Sequence, residues 1–521
     1  MARILEWLLH ETSLYTLLTH ATRDTYLILV SRFLRMFAYG GVALVLAIFL
    51  RIAGLSWTQV GSFMSIALLG DAAISYFFTL KADVIGRRRV LMIGSSLMIF
   101  SGTVFAFTKN YWLLLFAAVI GVITPGAHEV GPFRAVQEST LAHLTKPEAR
   151  TGIYAWFAVS STLGMATGLF VAGWLTYFQR EWLGYEWTDT YPAIFGMYAV
   201  IGLIKTGLTL LLSDRCEADY RPGRVRANLE EQENSSRPLL NASNRGRLSY
   251  TKSSEVRERV RRIGSSVTTK LSPESKRTLL RLGALFAINS FASGMLPVTL
   301  MSFYVNWRTR RYFISHVGYA MSVVWLAASV GVLFSAAVAK RLGLVKTMVL
   351  MHLPNAIFLA FIPLAPTFWI MISLLFASAA CGSMDQAPRM AFVAAVFPPE
   401  ERTAVMGTIN LIRTVASAGG PLLSGFLWEK KMWWVTFVLS ASLKVLYDVG
   451  LLVMFVNTKL PEQEGRPGEF TVADVDVGIL LSENLAHPEE FGPLDDEDEY
   501  GEEEEANARN RDGKGMYEDV A

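Results

Sequence analysis

Lys81-Ala82-Asp83-Val84-Ile85-Gly86-Arg87-Arg88-Arg89 is the stretch that decides how this chain folds. An acid, a turn glycine and three arginines stand between two apolar runs, residues 60–80 and 90–108. Each run is close to the ~20 residues that a helix needs to cross a bilayer. Working outward, the same pattern recurs at 27–50, 112–144, 152–178, 191–212, 279–305, 317–339, 345–366, 368–396, 404–428 and 432–456, which makes twelve runs in all. In lipid every backbone N–H and C=O must be paired within the protein, and a helix does this inside one segment. The expectation is therefore an all-α membrane protein with twelve transmembrane helices in two pseudo-symmetric six-helix bundles.

Composition agrees: 52% of the 521 residues are hydrophobic and 18% charged, a balance that leaves too little polar surface for a set of soluble domains. The net charge of +3 hides a segregation. Lys81, Arg87, Arg88, Arg89, Lys146, Arg150, Lys340, Arg341, Lys346 and Arg402 fall in the loops of one face. Arg51, Lys109, Arg180, Arg308, Arg310, Arg311, Lys430 and Lys431 fall on the other, with a second basic stretch in the central linker on the first. Basic loops mark the cytosolic face, so the charge sets orientation and not nucleic-acid binding. An even number of crossings then puts both chain ends in the cytosol.

The expected divisions are a cytosolic segment 1–26, a first bundle 27–212, a cytosolic linker 213–276, a second bundle 277–456 and an acidic, disordered tail 457–521. Leucines at helical spacing from Leu5 to Leu18 suggest a surface helix before the first crossing, and 256–267 suggests a basic one in the linker. An internal repeat supports the two halves. Lys146-Pro147-Glu148-Ala149-Arg150-Thr151 matches Pro398-Pro399-Glu400-Glu401-Arg402-Thr403, and the same register pairs Gly168 with Gly420 and Gly173 with Gly425. Together with Gly164, these are the small residues expected at close helix contacts.

With these features the chain resembles the major facilitator superfamily, in the style of a fungal-type member of undefined substrate, over roughly 27–456. Asp83, Gly86, Arg87 and Arg88 match that family's loop signature, while Thr79, Lys81 and Val84 depart from it. The resemblance implies parallel halves about a central cavity. It also implies that the loop acts as a conformational latch, with Asp83 at a helix N-terminus near Thr403 and an arginine at Glu138. A multi-pass transporter of the plasma or vacuolar membrane is implied, moving a small-molecule substrate by alternating access with protons as partners. A nutrient sensor on the same fold and a facilitative uniporter are the alternatives.

Ionisable residues inside the spans mark candidate sites, because each costs about 2.5–3.5 kcal/mol at the bilayer centre unless it meets a partner or water. Asp71 and Glu129 have no mate at helical spacing. Arg134 with Glu138, Asp385 with Arg389, and Lys444 with Asp448 are four apart on one helix face, and Arg413 and Lys205 complete the set. Glu129, beside the Pro125 and Pro132 that interrupt the fourth span, is the expected proton carrier. No phosphate-cradling loop, nucleophile elbow or His/Asp cluster is present, so neither a primary pump nor an enzyme is expected, and no cofactor or metal. Cys216 and Cys381 are expected as two unrelated free thiols, and a monomer in the lipid bilayer as the working unit.

Overall fold

Short polar residues start several of the helices and apolar runs carry them across. In the computed structural model, which describes residues 14–121, 123, 132–217, 272–309 and 313–455, a short helix α1 (Leu14–His20) precedes α2 (Arg23–Ile52). Thr22 caps α2 by accepting from the Thr25 N–H. Ser56 and Gln59 form a reciprocal capping box at the start of α3 (Trp57–Ile85). Gly86, at φ +102°, then turns the chain into α4 (Arg87–Phe107), a backbone conformation that suits a residue without a Cβ.

The fourth span is two helices, α5 (Tyr111–Ile120), capped by Asn110, and α6 (Pro132–Leu144). After them come α7 (Pro147–Glu181) and α8 (Trp187–Leu210). The second half comprises α9 (Pro273–Met295), α10 (Val298–Arg308), α11 (Ile314–Leu342), α12 (Leu344–Phe361), α13 (Phe368–Ser383), α14 (Gln386–Val396), α15 (Pro399–Glu429) and α16 (Trp433–Phe455). Ten of the described segments are long and apolar enough to cross a membrane; α5 with α6 and the more polar α15 make up the twelve. The tenth span, expected as one helix, breaks between α13 and α14 with Asp385 at the break.

The repeated motif has a structural counterpart. Pro147 and Pro399 each open a helix at its first position, where the missing N–H costs nothing. Gly168 lies against the Phe37 backbone of α2, and Gly420 against Gly294 at the end of α9, so each long helix packs on the first helix of its own half. Gly164 packs on Phe33 and Met36 in the same groove. Five residues further on, the equivalent glycines meet the other half. Gly173 of α7 touches Ser315 and Gly318 of α11, and Gly425 of α15 touches Trp57 and Gly61 of α3.

These seams lie at the far face, opposite the 81–89 turn. One hydrophobic core there runs through both halves, including Val60, Phe63, Leu169, Phe195, Val317, Met321, Trp428 and Phe437. Towards the basic face the interior divides in two. One core, with Ala82, Val90, Leu141, Ile153 and Phe157, belongs to the first half; the other, with Leu282, Phe392, Phe397, Val405 and Tyr447, to the second. The halves are welded at one end and separately packed at the other.

Residue Leu17 of α1 joins the first-half core, and the Tyr26 hydroxyl donates to its carbonyl at 3.1 Å, so this helix is held by protein contacts as well as by any surface it meets. The segment before it, Glu129, the linker beyond Glu217 with its candidate helix, and the acidic tail lie outside the described residues.

Candidate functional site

Each half buries its own charged cluster. In the first, α2 contributes Arg32 and Arg35, both nearly inaccessible, three residues apart and so on one helix face. The Arg32 Nε donates to the Ser161 hydroxyl of α7 at 2.6 Å, and its guanidinium lies 4.9 Å above the Phe157 ring. Asp71 of α3, expected to stand alone, accepts from the Ser75 hydroxyl at 3.3 Å and lies within electrostatic reach of Arg35. Tyr39, Tyr198 and the buried Lys205 of α8 surround them.

On α6, Arg134 pairs with Glu138 at 2.7 Å as its four-residue spacing predicts, and the Tyr154 hydroxyl donates to the Glu138 carbonyl. The Glu138 side chain is 7% accessible and that of Arg134 44%, although the Arg134 charge reaches both Arg32 of its own half and Arg413 of the other. An accessible side chain placed between two halves lines a cleft.

In the second half, Asp385 and Arg389 form the expected ion pair, buried on both sides. The third expected pair is replaced. Asp448 is held by the His352 Nδ1 of α12 at 2.9 Å, while Lys444 reaches the Asn355 side-chain oxygen at 3.5 Å. Across 96 residues of chain, the imidazole displaced the near neighbour because α12 and α16 pack face to face. Arg413, in the middle of α15, feels the charges of Asp385, Arg389 and Arg134.

The 81–89 turn is clipped by the chain leaving α8. The Glu217 carboxylate accepts from the Arg87 N–H at 2.7 Å and the Arg88 N–H at 3.2 Å, so it occupies the positive N-terminus of α4. Asp214 pairs with Arg88, and Asp24 of α2 accepts from the Ser213 N–H at 3.0 Å. Arg87, expected at Glu138, is buried and donates to the neighbouring Ser139 carbonyl at 3.4 Å. The Asp83 backbone continues α3; its seat near Thr403 was an expectation about side chains that lie outside the description. Sequence reading passed over Asp214, Glu217, Arg32, Arg35 and His352. Two arginines three apart within an apolar run were the available signal for the α2 pair.

Cys216 sits inside this clip, 1% exposed, and burial pushes its thiol up to about 12. A raised folded-state value favours the neutral thiol. The associated stability is complete below the ordinary thiol value of about 8.5 and is lost as pH climbs towards 12. Replacing Glu217 with Gln weakens the cap on α4 and frees the clip to open. Maleimide labelling of Cys216 at pH 8 is expected to speed up about tenfold, the factor equivalent to ~1.4 kcal/mol of lost capping. An unchanged rate means that Glu217 does not hold the clip.

At the far face, the Glu429 carboxylate at the end of α15 accepts from the Trp57 N–H at 2.6 Å and the Thr58 N–H at 3.3 Å, capping α3 from the other half. At the second seam, the Arg180 guanidinium of α7 lies 4.7 Å above Phe313, the residue that starts α11.

The model of the Major Facilitator Superfamily matches residues 28–313 and 282–488. An uncharacterized membrane protein of Saccharomyces cerevisiae, YJR124C, is 32% identical over 453 residues, covering 86% of this chain and 97% of its own length. Among solved structures, the nucleoside transporter NupG superposes with a TM-score of 0.59 at 12% identity, over 84% of this chain and 100% of that one. A D-xylose-proton symporter superposes with a TM-score of 0.57 at 14% identity, over 86% and 100%. The human organic anion transporter MFSD10 gives 0.54 at 16% identity, over 83% and 100%. These structural likenesses carry the fold, and the matches along the sequence carry the family: the chain is a multi-pass integral membrane protein that belongs to the Major Facilitator Superfamily.

Proposed function

We propose that the protein is a secondary transporter that moves a small solute by alternating access, with protons as the coupling ion. The observation that carries this reading is the division of the interior: one core shared by both halves at the far face, and two separate cores towards the basic face. Rocking one rigid bundle against the other about such an interior exchanges which end is closed. The arrangement described here is then the state open to the basic face. Counting Lys and Arg in the loops makes that face cytosolic, with both chain ends beside it, in the plasma or vacuolar membrane.

Buried carboxylates at Asp71, Asp385 and Asp448, and Glu129 beside the interrupted span, supply acids that a proton could visit. The 81–89 turn serves as the latch of the cytosolic end. Its clip to Asp214 and Glu217 ties it to the start of the linker, so rearrangement of the turn and of the linker go together.

The test is flux. The purified full-length chain is reconstituted into liposomes loaded with a pH-sensitive dye, and a library of sugars, nucleosides, short peptides and organic acids is added with and without an inward proton gradient. A solute-dependent proton influx that also drives solute accumulation is the expected result. A solute that is bound while neither it nor protons cross would make the protein a sensor on this fold.

A further inference from the structure

We infer that the solute carried is a small oxyanion, a carboxylate or a phosphate, and that Arg413 is the residue that grips it. The inference rests on the transporter reading and adds the substrate class. Arg413 occupies the middle of α15, the helix that forms the seam with α3, and it remains partly accessible there. The charge of Arg134, on a helix of the other half, acts on it, which sets it on the face turned to the cleft, where ionisable groups line pathways.

Among the described residues the acids around it are already committed. Asp385 is committed to Arg389, and Glu138 to Arg134. Asp448 is committed to His352. Among the described residues Arg413 makes no hydrogen bond or ion pair, and its Nε is buried without an acceptor. A guanidinium carries five donors in a planar fork that fits a carboxylate or phosphate two bonds at a time. The facing surface reinforces the sign: Arg134 of α6 and Arg389 of α14 both press positive charge on Arg413, and among the described residues Asp385 and the Tyr447 phenol offset it.

A neutral solute offers Arg413 acceptors but no charge, and a cation adds to the positive field, whereas an oxyanion supplies both the paired acceptors and the compensating charge. Arg134, accessible at the cleft, is placed to meet the other end of a dianion or a second oxygen of the same group. Binding of the anion also draws α15 towards α6, and so towards the other half, which is the direction in which the cytosolic end must close.

Thermal unfolding of the purified full-length protein provides the test, with benzoate, succinate and inorganic phosphate as probes and benzamide, succinamide and choline as neutral and cationic counterparts. At least one oxyanion is expected to raise the unfolding temperature in a saturable way while its neutral counterpart does not; which oxyanion does so separates carboxylate from phosphate. R413Q is expected to weaken half-saturation at least about tenfold, and R413K, which keeps the charge but loses the fork, by several-fold. R413K carries the comparison alone if R413Q does not fold. Saturation by a neutral or cationic probe instead, no response to any oxyanion, or unchanged anion affinity in the variants overturns the inference. The same anion is then tested for flux. Binding that depends on Arg413 without flux leaves this site standing and removes the transporter reading, and flux of a neutral solute does the reverse.

Discussion

Gly61→Val and Gly425→Val are expected to abolish transport while leaving the protein folded, and to leave the far face open. A Cβ on Gly61 would lie 3.0 Å from the Gly425 Cα and still closer to the Pro421 carbonyl oxygen; one on Gly425 would press into the Trp57 carbonyl. These are backbone neighbours within long helices, so they cannot rotate away. Forcing a methyl-sized group into a packed interface costs about 1–3 kcal/mol, and valine adds two further carbons. The clash exists only when the far end is closed. The penalty therefore falls on one conformation and shifts the population between the two by about 5- to 150-fold, without the same loss of overall stability.

Gly173→Val acts at the other seam, where a Cβ would stand 2.9 Å from the Ser315 carbonyl oxygen and 3.2 Å from the Gly318 Cα. Cysteines placed near the far ends of α3 and α15 should gain reactivity towards a membrane-impermeant thiol reagent in these variants. If reactivity stays at the wild-type level while transport is lost, the seams are not the closing surface.

Asp385→Ala should be the most destabilising single change in the second half. Asp385 is 1% exposed and Arg389 7%, so removing the carboxylate strands a guanidinium in the interior. Breaking one side of such a pair costs about 3–5 kcal/mol, whereas replacing both members by apolar residues of similar volume is close to neutral. The double variant Asp385→Leu, Arg389→Met is expected to recover most of the unfolding temperature that Asp385→Ala loses, and to remain inactive if the pair takes part in transport. Additive losses in the double variant would show that each group has its own separate supports.

How much of this was open to inspection in the sequence follows from the range of each interaction. Two of the three pairs four residues apart were legible, Arg134 with Glu138 and Asp385 with Arg389, because the spacing alone brings their side chains together. The twelve spans and the repeat were legible because a bilayer fixes helix length and because proline opens both copies of the motif. Partners brought together by folding were not. Glu217 meets Arg87 across 130 residues, and His352 outcompetes Lys444 for Asp448 from another helix. The break at Asp385 was hidden by an apolar flank on either side. Arg32 and Arg35 were overlooked because two arginines near the start of a span look like interface anchors until the burial of α2 is known.

The aromatic cluster at the far face has an optical consequence. Trp57 lies 5.1 Å from Trp428, 5.0 Å from Trp433 and 4.5 Å from Phe303, and Trp433 in turn stacks on Trp307 at 4.5 Å. The Arg51 guanidinium covers Trp57 from above at 4.7 Å. Indole rings this close share their electronic excitations, and the sign and strength of the resulting circular dichroism depend on the angles between them. Trp57 belongs to one half and the other three tryptophans to the opposite half, so the coupling of Trp57 to the other three persists only while that end is shut. The molecule thus carries its own chromophore for the position of its outer gate, with no label added.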